Sequence, residues 1–228
     1  MSTVISGTSL NRITRFYDST IGKKAVMAVS GLILFGFLIA HMLGNLQFFL
    51  GREVMNHYAE TLHGNPPLLW TVRIVLLVSV VLHIWSSIEL ALLKKRARPI
   101  GYVKRGNVQA SLASRTMMWS GPIVLAFIVF HLLHLTTGTV HPQFVPLNAY
   151  DNLINGLRVI PVALFYIVAM ILVGMHLSHG MWSMFQSLGF SHPKYTPLIK
   201  KFAAVFSWLL IAGFISIPTA IVAGIVTN

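Results

Sequence analysis

Five long apolar runs, separated by short polar segments, dominate the hydrophobic pattern of this chain. Each run is long enough for an α-helix to cross the hydrocarbon core of a bilayer, which takes about 20 residues. The runs are continuously apolar rather than alternating, which indicates helices and not the strands of a barrel. We therefore expect an all-α integral membrane protein, a single membrane domain over 1–228 that forms a five-transmembrane-helix bundle. The predicted spans lie near 25–48, 68–93, 117–138, 157–184 and 202–226.

Composition agrees with a membrane protein. Hydrophobic residues make up 55% of the chain and charged residues only 10%, with a mean hydropathy of +0.74, whereas a soluble domain carries roughly 25% charged residues. The first run follows Lys23 and Lys24, as in a signal peptide, but it is too long and lacks a small-residue cleavage site. The chain has no cysteine, which excludes disulfides and cysteine-ligated clusters within it.

The basic residues are distributed asymmetrically among the predicted loops. All but Arg52, Arg73 and Arg158 of the 17 Lys and Arg residues lie in the N-terminal segment, the second loop or the fourth loop. Because cytoplasmic loops carry the excess of Lys and Arg, we expect a cytoplasmic N-terminus. The net charge of +12 is then mainly topological, and no nucleic-acid partner is expected. A basic cytoplasmic surface suits a soluble partner or anionic lipid headgroups.

Histidines occur deep inside four of the five predicted spans. They are His41, His83, His131 with His134, and His176 with His179. A titratable side chain at that depth is costly in lipid, so each needs a partner that offsets the cost. Packing and a hydrogen bond explain one isolated histidine, but histidines at matched depths in four spans favour metal ligation. Without cysteine, a haem iron here would be held by histidine or methionine.

The predicted orientation places these histidines at two levels of the membrane. By the rise of an α-helix, His41 and His131 fall in the outer half, and His83 and His176 fall in the inner half. Two histidines at each level, from different helices, suit two bis-histidine haems on the order of 15 Å apart. The separations of the two pairs along the chain are nearly equal, which is typical of a distant internal duplication.

Spacing alone does not identify which histidine is the ligand in the third span. His134 and His179 each follow another histidine by three positions, on nearly the same helix face. Each is therefore an alternative ligand or a group that hydrogen-bonds a ligand or a haem propionate. A small residue one turn after the ligand would admit a flat macrocycle, and Gly138 fits His134 better than it fits His131.

Four segments of the chain resemble the helices of one known family. They are GLILFGFLIAHMLGNLQFF (31–49), LHIWSSIELAL (82–92), LAFIVFHLLHLTTG (125–138) and MHLSHGMWSMFQSLG (175–189). They are similar to the membrane cytochrome b subunit of succinate dehydrogenases and fumarate reductases, of the type with five helices and two haems. The most specific element is His-x-Ser-x-Gly-x-Trp, at His176, Ser178, Gly180 and Trp182.

The resemblance implies both ligands and a function. Carried over residue by residue, the family's axial ligands fall on His41 and His131 for the outer haem b, and on His83 and His176 for the inner one. In this family a flavoprotein subunit with FAD oxidises succinate, an iron–sulfur subunit transfers the electrons to the membrane, and the anchor passes them to a quinone. This chain would be the dihaem anchor of a succinate:quinone oxidoreductase, respiratory complex II, in a bacterial cytoplasmic (inner) membrane. It would be a subunit of the enzyme without oxidising succinate by itself.

Quinone reduction consumes protons, so its site needs a titratable group near the membrane boundary. The first outer loop, 51–67, offers Arg52, His57, Tyr58, Glu60 and His63. An ordinary polar loop explains these five residues equally well. A second group of candidates lies on the cytoplasmic side, at Arg15, Tyr17, Asp18, Ser30 and Trp119. The sequence does not choose between the two groups.

Arginines and acids near the spans bear on propionate binding and on the direction of the reaction. Arg73 and Arg158 suit either haem propionates or interfacial snorkelling. Some two-haem fumarate reductases carry a proton-conducting glutamate two residues before the fourth-span ligand, where this chain has Gly174, and Glu89 is the only acid well within a span. We therefore expect succinate oxidation with menaquinone as acceptor. The alternatives are a quinol:fumarate reductase, a histidine-using membrane transporter, and an anchor without haem.

Overall fold

Helices make up most of the described part of the chain, and no strand occurs in that part. The computed structural model describes residues 9–97, 100 and 112–226. Arg98, Lys104 and Arg105, which contribute to the charge asymmetry, lie outside these residues. The helices are α1 (Ser9–Asp18), α2 (Thr20–Leu46), α3 (Arg52–His63), α4 (Pro66–Ala97), α5 (Leu112–Leu135), α6 (Ala149–Leu157), α7 (Ile160–Ser187) and α8 (Thr196–Val222), with a 3₁₀ turn at Gln47–Leu50.

Five of the described helices are long and apolar enough to cross a membrane: α2 with its 3₁₀ turn, α4, α5, α7 and α8. This confirms the predicted number and type of spans, with shifts of a few residues at most of their ends. The fourth span was predicted to start near Leu157; in the structure Leu157 ends α6 and, after a short break, α7 begins at Ile160. Pro161 causes the break, since it has no N–H and its ring would clash with the carbonyl of Leu157 in a continuous helix.

Two short helices stand where the sequence predicted loops. The segment expected as the first outer loop is mostly α3, which follows Gly51 at a φ of +100°. This backbone conformation is open to glycine and lets the chain turn sharply out of the 3₁₀ turn. The second short helix, α6, is capped by Asn148, whose side chain accepts a hydrogen bond from the N–H of Asp151.

The four helices that carry the deep histidines surround a common interior. Close backbone packing joins α4 to α2, α2 to α7, and α7 to α5, while α8 packs on α7 and α2. In the described residues, α2 with α5 and α4 with α7 are not among the closely packed pairs. These two pairs therefore lie diagonally across the bundle. We refer to the end where α1 leads into α2 as the α1 end, and to the opposite end, where α3 contacts α6, as the α6 end.

Polar contacts tie α3 to α6 at the α6 end. The guanidinium of Arg52 lies 2.9 Å from each of the two carboxylate oxygens of Asp151. The amide of Asn56 donates to Asn148 over 3.1 Å and accepts from the N–H of Tyr150 over 3.0 Å. Bidentate and amide contacts of this kind fix orientation as well as distance, so the two short helices form a defined cap.

An ion pair joins three helices at the α1 end. The ammonium of Lys23 on α2, which is 7% exposed, lies 3.0 Å from the carboxylate of Glu89 on α4. The hydroxyl of Tyr17 on α1 donates to the same carboxylate over 2.8 Å. Lys23 also donates to the Tyr17 carbonyl over 3.2 Å. Because a buried charge is tolerated only with partners, the one acid within a span is a structural link here.

We predict that Asn152→Ala destabilises the cap. The buried Asn152 side chain accepts from the N–H of Val145 over 2.9 Å and donates to its carbonyl over 2.7 Å. Its removal leaves both backbone groups without these partners, at a cost of about 1–3 kcal/mol. The thermal unfolding midpoint in detergent should fall clearly below that of Asn155→Ala, a matched change on the same helix. Equal midpoints for the two variants would contradict this description of the cap.

Candidate functional site

Two histidines face each other at the α6 end. His41 on α2 and His131 on α5 have ring centroids 5.7 Å apart and ring planes at 85°. Phe37 stacks on His41 with centroids 5.2 Å apart, and Phe127 lies 5.8 Å from His131. Aromatic neighbours on the same helices thus restrict how each imidazole can turn.

A second pair faces each other at the α1 end. His83 on α4 and His176 on α7 have ring centroids 6.2 Å apart and planes at 61°. The Nδ1–H of His83 donates to the Met27 carbonyl on α2 over 3.1 Å. Gly31 makes this approach possible, because a Cβ at this position would lie 3.2 Å from Cε1 of His83. The close packing of α2 on α4 therefore holds the ring of His83.

The two pairs lie at separate levels of the bundle. On α5, Ser120 contacts His176 of one pair, and His131 of the other pair follows eleven residues later. On α7, Tyr166 contacts His131, and His176 follows ten residues later. At the rise of an α-helix, both helices put the levels about 15 Å apart.

The Nδ1 atoms of the facing histidines are directed to partners within the protein. Nδ1 of His176 lies 3.5 Å from the hydroxyl of Ser120, and Nδ1 of His131 lies 3.4 Å from the hydroxyl of Tyr166. Together with the carbonyl partner of His83, this gives three of the four rings an Nδ1 partner. Metal-binding histidines characteristically use one ring nitrogen in this way and ligate through the other. Nε2 is accordingly the nitrogen that each of these three rings offers to a metal.

Each pair fits a metal held between two imidazoles. A metal–nitrogen bond of about 2.0–2.1 Å on each side puts the two ring centroids about 6.3 Å apart, close to the 5.7 and 6.2 Å observed. Within the described residues, no group of three or more His, Asp or Glu side chains is placed to hold a metal ion. Two protein ligands suit a metal that brings its other ligands with it, as haem iron does.

A buried hydroxyl near one pair fits an additional polar group. Ser86 lies on α4 three residues after His83, is fully buried, and its hydroxyl has no hydrogen-bond partner among the described residues. Buried polar atoms are nearly always paired. Gly180, one turn after His176, leaves open space, because a Cβ there would meet nothing within 4 Å.

His134 faces the α6 cap rather than the histidine pair at that end. It is 3% exposed, and its Nδ1 lies 3.0 Å from the Tyr166 hydroxyl. Its ring stacks on Phe130 and on His141, with centroids 5.4 and 4.8 Å away. A Cβ on Gly156 of α6 would lie 2.6 Å from its Cε1. Close packing on all these sides leaves His131 as the third-span histidine that faces His41.

The sequence did not single out His141 or Tyr166. The Nε2–H of buried His141 donates to the Asn152 carbonyl over 2.9 Å, and its Nδ1 accepts from the N–H of Gln143 over 3.2 Å. No sequence signal identifies His141, since it lies in a turn. Tyr166 could have been found, because it precedes His176 by about the spacing between the two levels. His179 is half-buried on α7 and belongs to neither facing pair.

The five candidates on α3 have different surroundings. Arg52 is paired with Asp151, and the Nδ1–H of His63 donates to the carbonyl of Ala59 in its own helix over 2.8 Å. The side chain of Glu60 is exposed. The remaining two line a groove of about 400 Å³ between the 3₁₀ turn and α3, formed by Gln47, Glu53, Val54, His57, Tyr58 and Thr61.

The five candidates at the α1 end do not form one site in the described structure. Tyr17 is bonded to Glu89, as described above. The buried hydroxyl of Ser30 donates to the Val26 carbonyl of its own helix over 2.7 Å. Trp119 is 76% exposed, and Arg15 and Asp18 are exposed as well.

The two arginines considered as partners of the haem propionates have different surroundings. The guanidinium of Arg73 lies over the ring of Trp70, 5.2 Å from its centroid. Such a contact is typical of side chains at a membrane interface. Arg158 is exposed directly after α6. Neither observation links Arg73 or Arg158 to the histidine pairs.

Comparison with known proteins finds no relative of this chain: no family model, no curated protein and no solved structure matches it. Fold and site therefore define the class. It is a helical protein with five helices that are long and apolar enough to span a membrane. Two facing histidine pairs lie at separate levels among four of them.

We predict that alanine has opposite consequences at two glycines of α2. Gly→Ala within a helix stabilises it by about 0.8–1 kcal/mol when nothing is in the way. At Gly36 a Cβ meets nothing within 4 Å, whereas at Gly31 it meets His83 at 3.2 Å. Gly36→Ala should keep or raise the thermal midpoint, and Gly31→Ala should lower it. A higher midpoint in both variants would show that Gly31 is not needed for the packing of His83.

Proposed function

We propose that this chain is the dihaem cytochrome b membrane anchor of a succinate:quinone oxidoreductase, respiratory complex II. The proposal rests on one observation: histidines face each other in two separate places. The spacing of the two rings in each place fits a metal held between two imidazoles. The two levels together cover about half of the roughly 30 Å hydrocarbon core. Two redox centres arranged in this way suit the passage of electrons across the membrane.

His41 and His131 would hold one haem b, and His83 and His176 the other. When bound, the haems would supply one-electron redox chemistry, and two imidazoles would hold each of them. The chain's own contribution is to hold and orient the imidazoles. Hydrogen bonds from Nδ1 increase the basicity of a ligating ring and set its tautomer.

The α1 end offers a surface for soluble partner subunits. Exposed basic side chains gather there at the ends of α4 and α7 and at the start of α8, among them Lys94, Lys95, Lys194, Lys200 and Lys201. Such a surface attracts an acidic partner. We assign it to the iron–sulfur subunit, which would connect the anchor to the flavoprotein with its FAD. Following the positive-inside rule, we assign this end to the cytoplasmic side, in a bacterial cytoplasmic (inner) membrane.

Two positions that bear on proton transfer, Gly174 and Glu89, favour succinate oxidation, with menaquinone as acceptor, over the reverse reaction. A Cβ on Gly174 would lie 3.0 Å from the Trp208 ring of α8 and 3.1 Å from Ile211. The position holds glycine and packs closely against α8, so it supplies no titratable group for a proton path. Glu89 is held by Lys23 and Tyr17. A quinol:fumarate reductase remains the alternative direction, and a transporter would need carboxylates along a path that these residues do not supply.

The groove beside α3 is the proposed quinone site. His57 and Tyr58 line it with Gln47 and Glu53, so it combines titratable and hydrogen-bonding groups next to the end of α2. Tyr58 lies directly against α2, since a Cβ on Gly44 would lie 2.6 Å from its hydroxyl. Gly44 is three residues from His41, which puts the groove close to the histidine pair at the α6 end.

We predict that single alanine replacements of the four facing histidines fall into two spectral classes. His41→Ala and His131→Ala should remove the same haem, and His83→Ala and His176→Ala the other, because each pair shares one metal. Reduced-minus-oxidised spectra of the purified complex at low temperature separate the two centres. His192→Ala, which changes an exposed histidine beyond α7, should keep both.

The grouping of the variants decides this test. If His41→Ala and His83→Ala lost the same component, the facing pairs would not be the ligand pairs. The helix content and the amount of each variant in the membrane show whether a missing haem reflects lost ligation or failed assembly. A pair of variants that assembles fully and keeps both components would contradict ligation by that pair.

We predict that His57→Ala lowers quinone-dependent succinate oxidation about tenfold or more. The loss of a positioned proton donor typically costs a factor of 10² to 10⁴, part of which water replaces in an open groove. Oxidation of succinate with a soluble artificial acceptor should not change, since this reaction bypasses the anchor. The matched control is His63→Ala on the same helix. Equal quinone-dependent rates in both variants would place the quinone elsewhere.

A further inference from the structure

Tyr166 occupies an unusual position between two histidines. It lies on α7, is 7% exposed, and its hydroxyl is 3.0 Å from Nδ1 of His134 and 3.4 Å from Nδ1 of His131. Both histidines lie on α5, three residues apart. One phenol therefore contacts the same ring nitrogen of two neighbouring histidines.

A hydroxyl has one hydrogen, so Tyr166 can donate to only one of the two ring nitrogens. If His131 ligates a metal through Nε2, as the proposed function requires, its proton is on Nδ1. Nδ1–H of His131 then donates to the oxygen of Tyr166. The hydroxyl hydrogen of Tyr166 is left to donate to Nδ1 of His134. The contact between Tyr166 and His134, at 3.0 Å, is shorter than the contact between Tyr166 and His131. This is expected if the hydroxyl donates to the ring nitrogen of His134.

His134 is held in the orientation that this arrangement needs. Its ring is stacked between Phe130 and His141, and Gly156 of α6 closes the remaining side. His141 is itself fixed, since its Nε2–H donates to the Asn152 carbonyl and its Nδ1 accepts from a backbone N–H. The hydrogen bonds and stacking contacts thus run from His131 to the backbone of the α6 cap.

We propose that Tyr166 is the positioning residue for His131. Its oxygen accepts the Nδ1–H, which sets the tautomer and increases the electron donation of the ring to the metal, and His134 keeps the Tyr166 hydroxyl turned away from His131. The inference rests on the proposed function. It gives His134 a role as the partner of Tyr166 and removes it from the set of alternative ligands.

The arrangement is confined to one of the two pairs. At the α1 end, His83 donates to the Met27 carbonyl, and His176 contacts the hydroxyl of Ser120. A change at Tyr166 therefore acts on the centre at the α6 end, and the other centre in the same protein serves as an internal standard.

The test is a redox titration of the full complex carrying Tyr166→Phe. Loss of the acceptor makes the His131 imidazole a weaker electron donor, so the ferrous state of its haem becomes relatively more stable. At a fixed ambient potential we expect the ratio of reduced to oxidised haem to rise severalfold, up to about tenfold, which corresponds to about 59 mV for one electron. The haem at the α1 end should not change. The matched control is Tyr150→Phe, a buried tyrosine at the same end whose ring stacks on Phe48.

Two variants of His134 complete the series. His134→Gln keeps an acceptor for the Tyr166 hydroxyl and should retain both haems with a small shift. His134→Leu removes the acceptor and should shift the same haem in the same direction as Tyr166→Phe. If Tyr166→Phe lost only the haem at the α6 end while Tyr150→Phe kept both haems, this result would also support the positioning of His131 by Tyr166.

Other results would overturn the inference. An unchanged potential in Tyr166→Phe, or an equal shift of both haems, would show that Tyr166 has no specific effect on His131. Loss of one haem in His134→Gln would make His134 a ligand. If the wild-type complex held two haems but the Tyr166 and His134 variants did not give the expected results, the proposed function would stand without this inference. A wild-type protein without haem would overturn both.

Discussion

Polar atoms inside a bundle of apolar helices must find partners within the protein, because lipid offers none. This constraint accounts for most of the contacts described here. Lys23 and Glu89 pair with each other across two helices, and the Nδ1 atom of His83 is bonded to a backbone carbonyl. The facing imidazoles satisfy the constraint only in part through protein groups, and a metal between them would satisfy the remaining nitrogen of each ring.

The arrangement of the helices follows from the same requirement. The helices joined by facing histidines, α2 with α5 and α4 with α7, are diagonal rather than closely packed. Small residues let rings and helices approach where packing is close, as Gly31 does beside His83 and Gly156 does beside His134. The cap formed by α3 and α6 closes one end of the bundle. Histidines with similar positions in sequence thus have different roles, because only some of them face the interior between the diagonal helices.

Much of the fold could be predicted because it depends on local composition. Long apolar runs indicated the five long helices, but the break before Pro161 and the short helices α3 and α6 depend on capping and on contacts between distant segments. The resemblance to a known family paired His41 with His131 and His83 with His176, and the structure brings the same rings together. The surroundings of His134 could not be predicted, since they depend on Gly156 and His141, which reach it only in the folded chain.

Haem binding by the two facing pairs can be measured by a pyridine haemochrome assay on the purified wild-type protein. The assay converts any b-type haem to a species with a known absorbance, which is compared with the amount of this chain. We predict two haems b per chain, both released by acid and organic solvent because no cysteine is present to bind them covalently. A fully assembled protein that contains no haem would contradict it.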